Sequence, residues 1–186
     1  MTAQLLKNVG LALGACVVAA GCDSGPTGPA VQPPPPPLPQ SAVDGLAGSY
    51  SLTVNLSDQC AALPDALRRR TYQATLRAST RAYLGISIVG GGFSTPVGPG
   101  DLWPGSDGRV AINWNNFDIG GCDGYPEPLS DGRTLMVCGS GEGVVSGPTI
   151  ALTLNAEVFI DEAGQRQRVC AGGHEFTFNR STASTH

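Results

Sequence analysis

Apolar residues fall on every second position through most of this chain, and that spacing predicts β-strands. Tyr50, Leu52, Val54 and Leu56 alternate with Ser51, Thr53 and Asn55. The same holds for Tyr72, Ala74 and Leu76, for Leu84, Ile86 and Ile88, and for Val110, Ile112 and Trp114. The longest run carries Ile150, Leu152, Leu154, Ala156, Val158 and Ile160, and Phe176 with Phe178 closes the series. Each run has one greasy and one wet face, as in antiparallel sheet around a single interior. Turn residues separate the runs: Asp107-Gly108, Asp131-Gly132, Ser146-Gly147-Pro148, and a hairpin at Asp161-Glu162-Ala163-Gly164. Residues 61–69 break the period and are rich in helix formers, which predicts a short helix starting near Pro64. The pattern therefore predicts an all-β domain: an antiparallel up-and-down barrel of about eight strands, with one short helix after the first strand. Gly90 to Gly108 reads as a long, partly apolar loop over one barrel mouth. Gly139-Ser140-Gly141-Glu142-Gly143 reads as a bulge or turn.

The alternation begins only after residue 43. Lys7 precedes an uncharged apolar run, Val9 to Ala20, too short for the roughly 20 residues that span a hydrocarbon core. Ala19, Ala20 and Gly21 then lead into Cys22. This stretch resembles a bacterial lipoprotein signal, which implies cleavage before Cys22 and acylation of its thiol. Residues 1–21 are then a signal peptide, and residues 22–43 an acylated cysteine followed by a proline-rich tether. Five consecutive prolines at 33–37 favour polyproline II, so the tether extends to roughly 60 Å at about 3.1 Å per residue. Residues 44–180 are the barrel domain, and residues 181–186 an unstructured tail. The expected location is the cell envelope, on either membrane, with the domain in the periplasm or at the cell surface. The membrane, reached through the Cys22 lipid, is the one expected partner that the signal itself names.

Charge narrows the partners further. Past the signal, ten arginines face 15 acidic residues, a net −5, which argues against nucleic acid and against an anionic bilayer. Four cysteines follow Cys22: Cys60, Cys122, Cys138 and Cys170. Export favours disulfides, and three pairings exist. Cys122 and Cys138 flank a turn-rich segment, which favours that pair and leaves Cys60 with Cys170. A zinc site is the rival, but the chain has no Cys-x-x-Cys, and within the domain only His174 could assist.

Two further stretches resemble known proteins. Gly48-Ser49-Tyr50 resembles the Gly-x-Trp that opens the first strand of lipocalin-type barrels, with tyrosine in place of tryptophan. Cys60-Ala61-Ala62-Leu63-Pro64 with Arg70-Thr71-Tyr72, and the segment from Cys170 to Arg180, look like a group of uncharacterised bacterial lipoproteins. The resemblance implies a lipocalin-like barrel in which Arg180 packs over the Tyr50 ring, a cation–π contact of about 0.5–1 kcal/mol.

Catalytic patterns are sparse. No Gly-x-Ser-x-Gly occurs. His174 and Glu175 are neighbours in a strand and point to opposite faces. Residues 139–143 precede Val144 and Val145 rather than a helix, so they do not form a phosphate loop. Arg68-Arg69-Arg70 reads as a solvated helix end. Asp118, Asp123, Glu127 and Asp131 are the candidates for calcium, against a reading as solvated loop acids. No metal, no cofactor and no catalysis are expected, and the domain is expected to be a monomer. Two functions remain. One is a barrel holding a small apolar ligand, with Trp103, Phe93, Trp114 and Tyr72 as contacts. The other is a structural or protein-interaction module of the envelope with a solid core. An interior void of about 300 Å³ or more would separate them.

Overall fold

The alternating runs pair as antiparallel neighbours in the order in which they stand along the chain, most of them joined by short turns. The computed structural model describes residues 39–115, 117–118, 121–122 and 124–181, without the side chains of residues 117, 118 and 121. All of them belong to the second of the chain's two units, Pro34–His186. The strands are β1 (Gly48–Asn55), β2 (Arg69–Ala78), β3 (Leu84–Gly90), β4 (Phe93–Pro104), β5 (Arg109–Trp114), β6 (Phe117–Asp118), β7 (Gly121–Cys122), β8 (Glu127–Pro128), β9 (Thr134–Ser146), β10 (Thr149–Glu162) and β11 (Gln165–Arg180). Eight of them, β1–β5 and β9–β11, form a closed antiparallel barrel, with β11 returning to pair with β1. Closure leaves the barrel wall no open edge. Strand β8 extends the ladder on β9 where β5 stops, and β6 pairs with β7 in a separate two-stranded sheet.

The interior holds the predicted apolar set. Leu52, Leu76, Leu84, Ile88, Leu102, Ile112, Ile150, Leu154, Phe176 and Phe178 are all fully buried. Strand β9 contributes glycines instead. Gly139, Gly141 and Gly143 stand opposite Ala156, Leu154 and Leu152 of β10. A Cβ on any of the three would run into the β10 backbone, so only glycine lets the two strands approach this closely. Residues 139–143 are therefore unbroken strand, where the sequence reading expects a bulge or turn.

Three other expectations change. The loop expected over Gly90–Gly108 is mostly strand β4. Its prolines remove ladder donors, and the β3–β4 register slips on either side of Ile88 to accommodate them. A helix, α1 (Gln40–Leu46), precedes β1 and drops Val43 into the core at 0% exposure. Residues 40–43 thus pack with the barrel, ahead of the expected start at Asp44. The helix expected after the first strand is one turn, α2 (Asp65–Arg68), preceded by a 3-10 turn at Asp58–Cys60. At the far end, the Ser181 N–H donates to the Ser49 carbonyl at 2.9 Å, so Ser181, placed in the tail by the sequence reading, is held to β1.

Candidate functional site at the barrel mouth

Residues 124–128, ahead of β9, lie over one mouth of the barrel. Pro126 and Pro128 fix φ on either side of Glu127, stiffening this strap around its carboxylate. That carboxylate points inward and is 3% exposed. Its Oε2 accepts the Tyr72 hydroxyl proton at 2.7 Å. Its Oε1 accepts the Gly92 N–H at 2.5 Å and pairs with the Arg70 guanidinium. Burial, followed by the Glu127 carboxylate, pushes the Tyr72 phenol far above its usual range, so it remains a donor. Burial alone would lower the Arg70 pKa, but Glu127 and Tyr72 outweigh it and hold the guanidinium charged. Three donors saturate one carboxylate, and the cluster carries no net charge.

Beneath the strap lies a void of ≈ 30 Å³, lined by Val54, Tyr72, Phe93, Trp114, Glu127 and Phe176 among others. That is room for about one water. Trp114 meets Phe176 edge-on at 5.0 Å and Phe93 tilts against Tyr72 at 6.3 Å, and these rings occupy most of the space. Asn115 sits at the rim with φ 61°, a region asparagine tolerates better than most residues. Its Nδ2 donates to the Val137 carbonyl at 2.6 Å, while its buried Oδ1 has no partner among the described residues.

The ligand candidates therefore divide. Phe93, Trp114 and Tyr72 converge on the mouth. Trp103 does not; it lies on the outer wall, 41% exposed, against Tyr83 at 6.3 Å. Strand β4 alternates, with Leu102 and Pro104 pointing in, so Trp103 must point out. Of the four calcium candidates, the two whose side chains are described are each already paired with an arginine. Glu127 is held by Arg70, and Asp131 is bound by Arg133 through its own turn at 2.7 Å. The Arg133 hydrogen bond keeps the Asp131 carboxyl below its ordinary pKa. Asp123 and the Asp118 side chain lie outside the described residues.

Disulfides join Cys60 to Cys170 and Cys122 to Cys138. The first ties the turn after β1 to β11. His174 lies beside it, with its ligand atom within 4.8 Å of both sulfurs. The Ser57 N–H donates to His174 Nδ1 at 3.0 Å, and the sulfurs are bonded to each other, so the trio is built as core. The second disulfide lies outside the barrel, in a small cluster with Met136 and Phe159. Arg166 covers the Phe159 ring at 6.0 Å and donates to the Cys122 carbonyl at 3.0 Å. Arg180 lies over Tyr50, 5.4 Å from the ring centroid.

Sequence reasoning missed the roles of Arg70 and Asn115. The Pro-Glu-Pro at 126–128 was the available signal, since a carboxylate between two prolines is held rather than mobile. No family model, no curated protein and no solved structure matches this chain.

Proposed function

We propose that this chain is a lipid-anchored lipoprotein of the bacterial cell envelope, whose barrel works as a solid interaction module rather than as a carrier of ligand. The void of ≈ 30 Å³ carries the second half of this reading. Pockets that enclose small molecules run to about 300–1,000 Å³. The anchor half rests on Ala19-Ala20-Gly21-Cys22 after an uncharged run. The lipocalin-like features, Gly48-Ser49-Tyr50 and Arg180, then serve closure and stability. No catalysis is assigned.

Native mass spectrometry of the full chain in detergent tests both halves. The expected species is a chain beginning at acylated Cys22 with no other bound molecule. An intact N-terminus upstream of Cys22 would overturn the anchor. A co-purified apolar compound, lost in Trp114→Ala, would restore the ligand reading. That second reading draws on the unpaired Asn115 Oδ1 and on the aromatic rings at the mouth, and requires the strap to open.

A further inference from the structure

The tether meets the barrel at one particular place. Gln40, the first residue of α1, donates through Nε2 to the Ser79 carbonyl at 2.9 Å. Ser79 opens the β2–β3 turn, whose backbone closes with the Ser79 N–H on the Tyr83 carbonyl at 2.8 Å. That turn carries Arg81, exposed, and Tyr83, which packs on Trp103 of β4 at 6.3 Å. Arg77 stands exposed at the end of β2 beside them. The guanidinium groups of Arg77 and Arg81 have no partner among the described residues. One barrel end thus gathers the chain's exit toward Cys22, a partly exposed tryptophan–tyrosine pair and two unpaired arginines.

We propose that this patch, Arg77, Arg81, Tyr83 and Trp103, seats in the headgroup layer of the membrane that holds the Cys22 lipid. The inference rests on the anchor reading above and adds the orientation of the domain. Tryptophan and tyrosine favour the level where a ring meets hydrocarbon on one side and water on the other. Guanidinium groups beside them match lipid phosphates, which they bind through paired N–H donors. Sixteen residues separate Cys22 from Pro39. Fully extended they reach roughly 50 Å, but an unstretched tether also lets the patch touch the surface. The domain's net negative charge does not oppose contact here. Arg77, Arg81, Arg109 and Arg180 stand at this end against Asp44, Asp101, Asp107 and Glu142, so its charges balance. Asp107 is already paired with Arg109 at 3.5 Å.

The chain has two tryptophans, Trp103 outside and Trp114 buried, which makes the test direct. The full acylated chain is reconstituted in phosphatidylcholine vesicles whose acyl chains carry bromine near the headgroup. Flotation reads the anchor, and tryptophan quenching reads the patch. The expected result is flotation with quenching that disappears in Trp103→Phe and weakens in the Arg77→Gln/Arg81→Gln double variant. Trp114 emission reports that each variant is folded. Flotation with no quenching of Trp103 overturns the inference and leaves the anchor standing. Failure of the chain to float overturns the anchor and the inference with it.

Discussion

Arg180 and Tyr50 face each other across the β11–β1 seam that closes the barrel. The guanidinium covers the phenol ring, its Nε donates to the Tyr50 hydroxyl at 3.2 Å, and that hydroxyl donates to the Leu46 carbonyl at 2.8 Å. Arg180 Nη2 also donates to the carbonyls of Gly45 and Ala47, at 2.7 and 2.9 Å. One side chain therefore ties the last strand, the first strand and the end of α1 together. Replacing Arg180 with Ala should cost about 1–2 kcal/mol, combining an exposed cation–π contact with charged hydrogen bonds. Lysine keeps the charge but lacks the planar fork that reaches three acceptors at once. Arg180→Lys should therefore recover little of the loss, as read from the urea midpoint at constant slope.

The strap makes a sharper demand. Glu127→Ala leaves Arg70, whose side chain is 13% exposed, without its carboxylate. Breaking one side of a buried pair costs about 3–5 kcal/mol. Tyr72→Phe leaves one carboxylate oxygen short of a donor and should cost about 1–2 kcal/mol. If the strap and barrel unfold together, Glu127→Ala should lower the global melting temperature. If the strap is a separate low-stability unit, hydrogen exchange should rise at residues 124–133 alone. Either result confirms the clamp; no change in both would refute it.

The strand positions legible in the sequence are those where burial and alternation coincide, as in β1 and β10. There the side chain decides the strand, and a period of two is visible. Strand β4 was illegible because its ladder tolerates Pro96 and Pro99 only through register slips that no local pattern announces. Strand β9 hid for the opposite reason. Its inward positions 139, 141 and 143 are glycines because β10 comes too close there for a side chain, so the middle of its core face shows no apolar residue. Helix α1 looked like tether because seven residues with one buried valine carry no period. At the mouth, the aromatic residues were legible as core, whereas the partnership of Arg70 with Glu127 spans 57 positions and depends on where the strap lands.

The two disulfides should differ in worth. Cys60 and Cys170 are separated by 110 positions, Cys122 and Cys138 by 16. Loop-closure entropy gives about 4.7 kcal/mol for a loop near 100 residues and about 3 for one near 15. Cys60→Ala/Cys170→Ala should therefore lower stability more than Cys122→Ala/Cys138→Ala. The longer link also holds the turn that packs Leu56, Cys60 and Leu63 into the barrel end. Denaturant unfolding of the two double variants checks the order, and an inverted order would mean that the outer cluster around Met136 governs unfolding.

His174 gives the domain a pH dependence of definite sign. The side chain is 0% exposed, inside the barrel next to Leu154 of β10. Burial pulls its pKa below 6.5, and a backbone contact at Ala156 only partly offsets this. The unfolded chain therefore takes up a proton at a higher pH than the folded one. Stability from a buried neutral imidazole is present above about pH 6.5 and is lost as pH falls toward the folded value. The melting temperature should accordingly decline from pH 7 to pH 5, above the range where most carboxylates titrate. In His174→Asn, an amide oxygen can accept the Ser57 N–H that Nδ1 now accepts, and nothing titrates. That variant should be less stable at pH 7, because an amide fills the site less well than a ring, yet its melting temperature should be flat across the same interval. A slope that survives in His174→Asn would assign the acid sensitivity to another group and would leave His174 as packing alone.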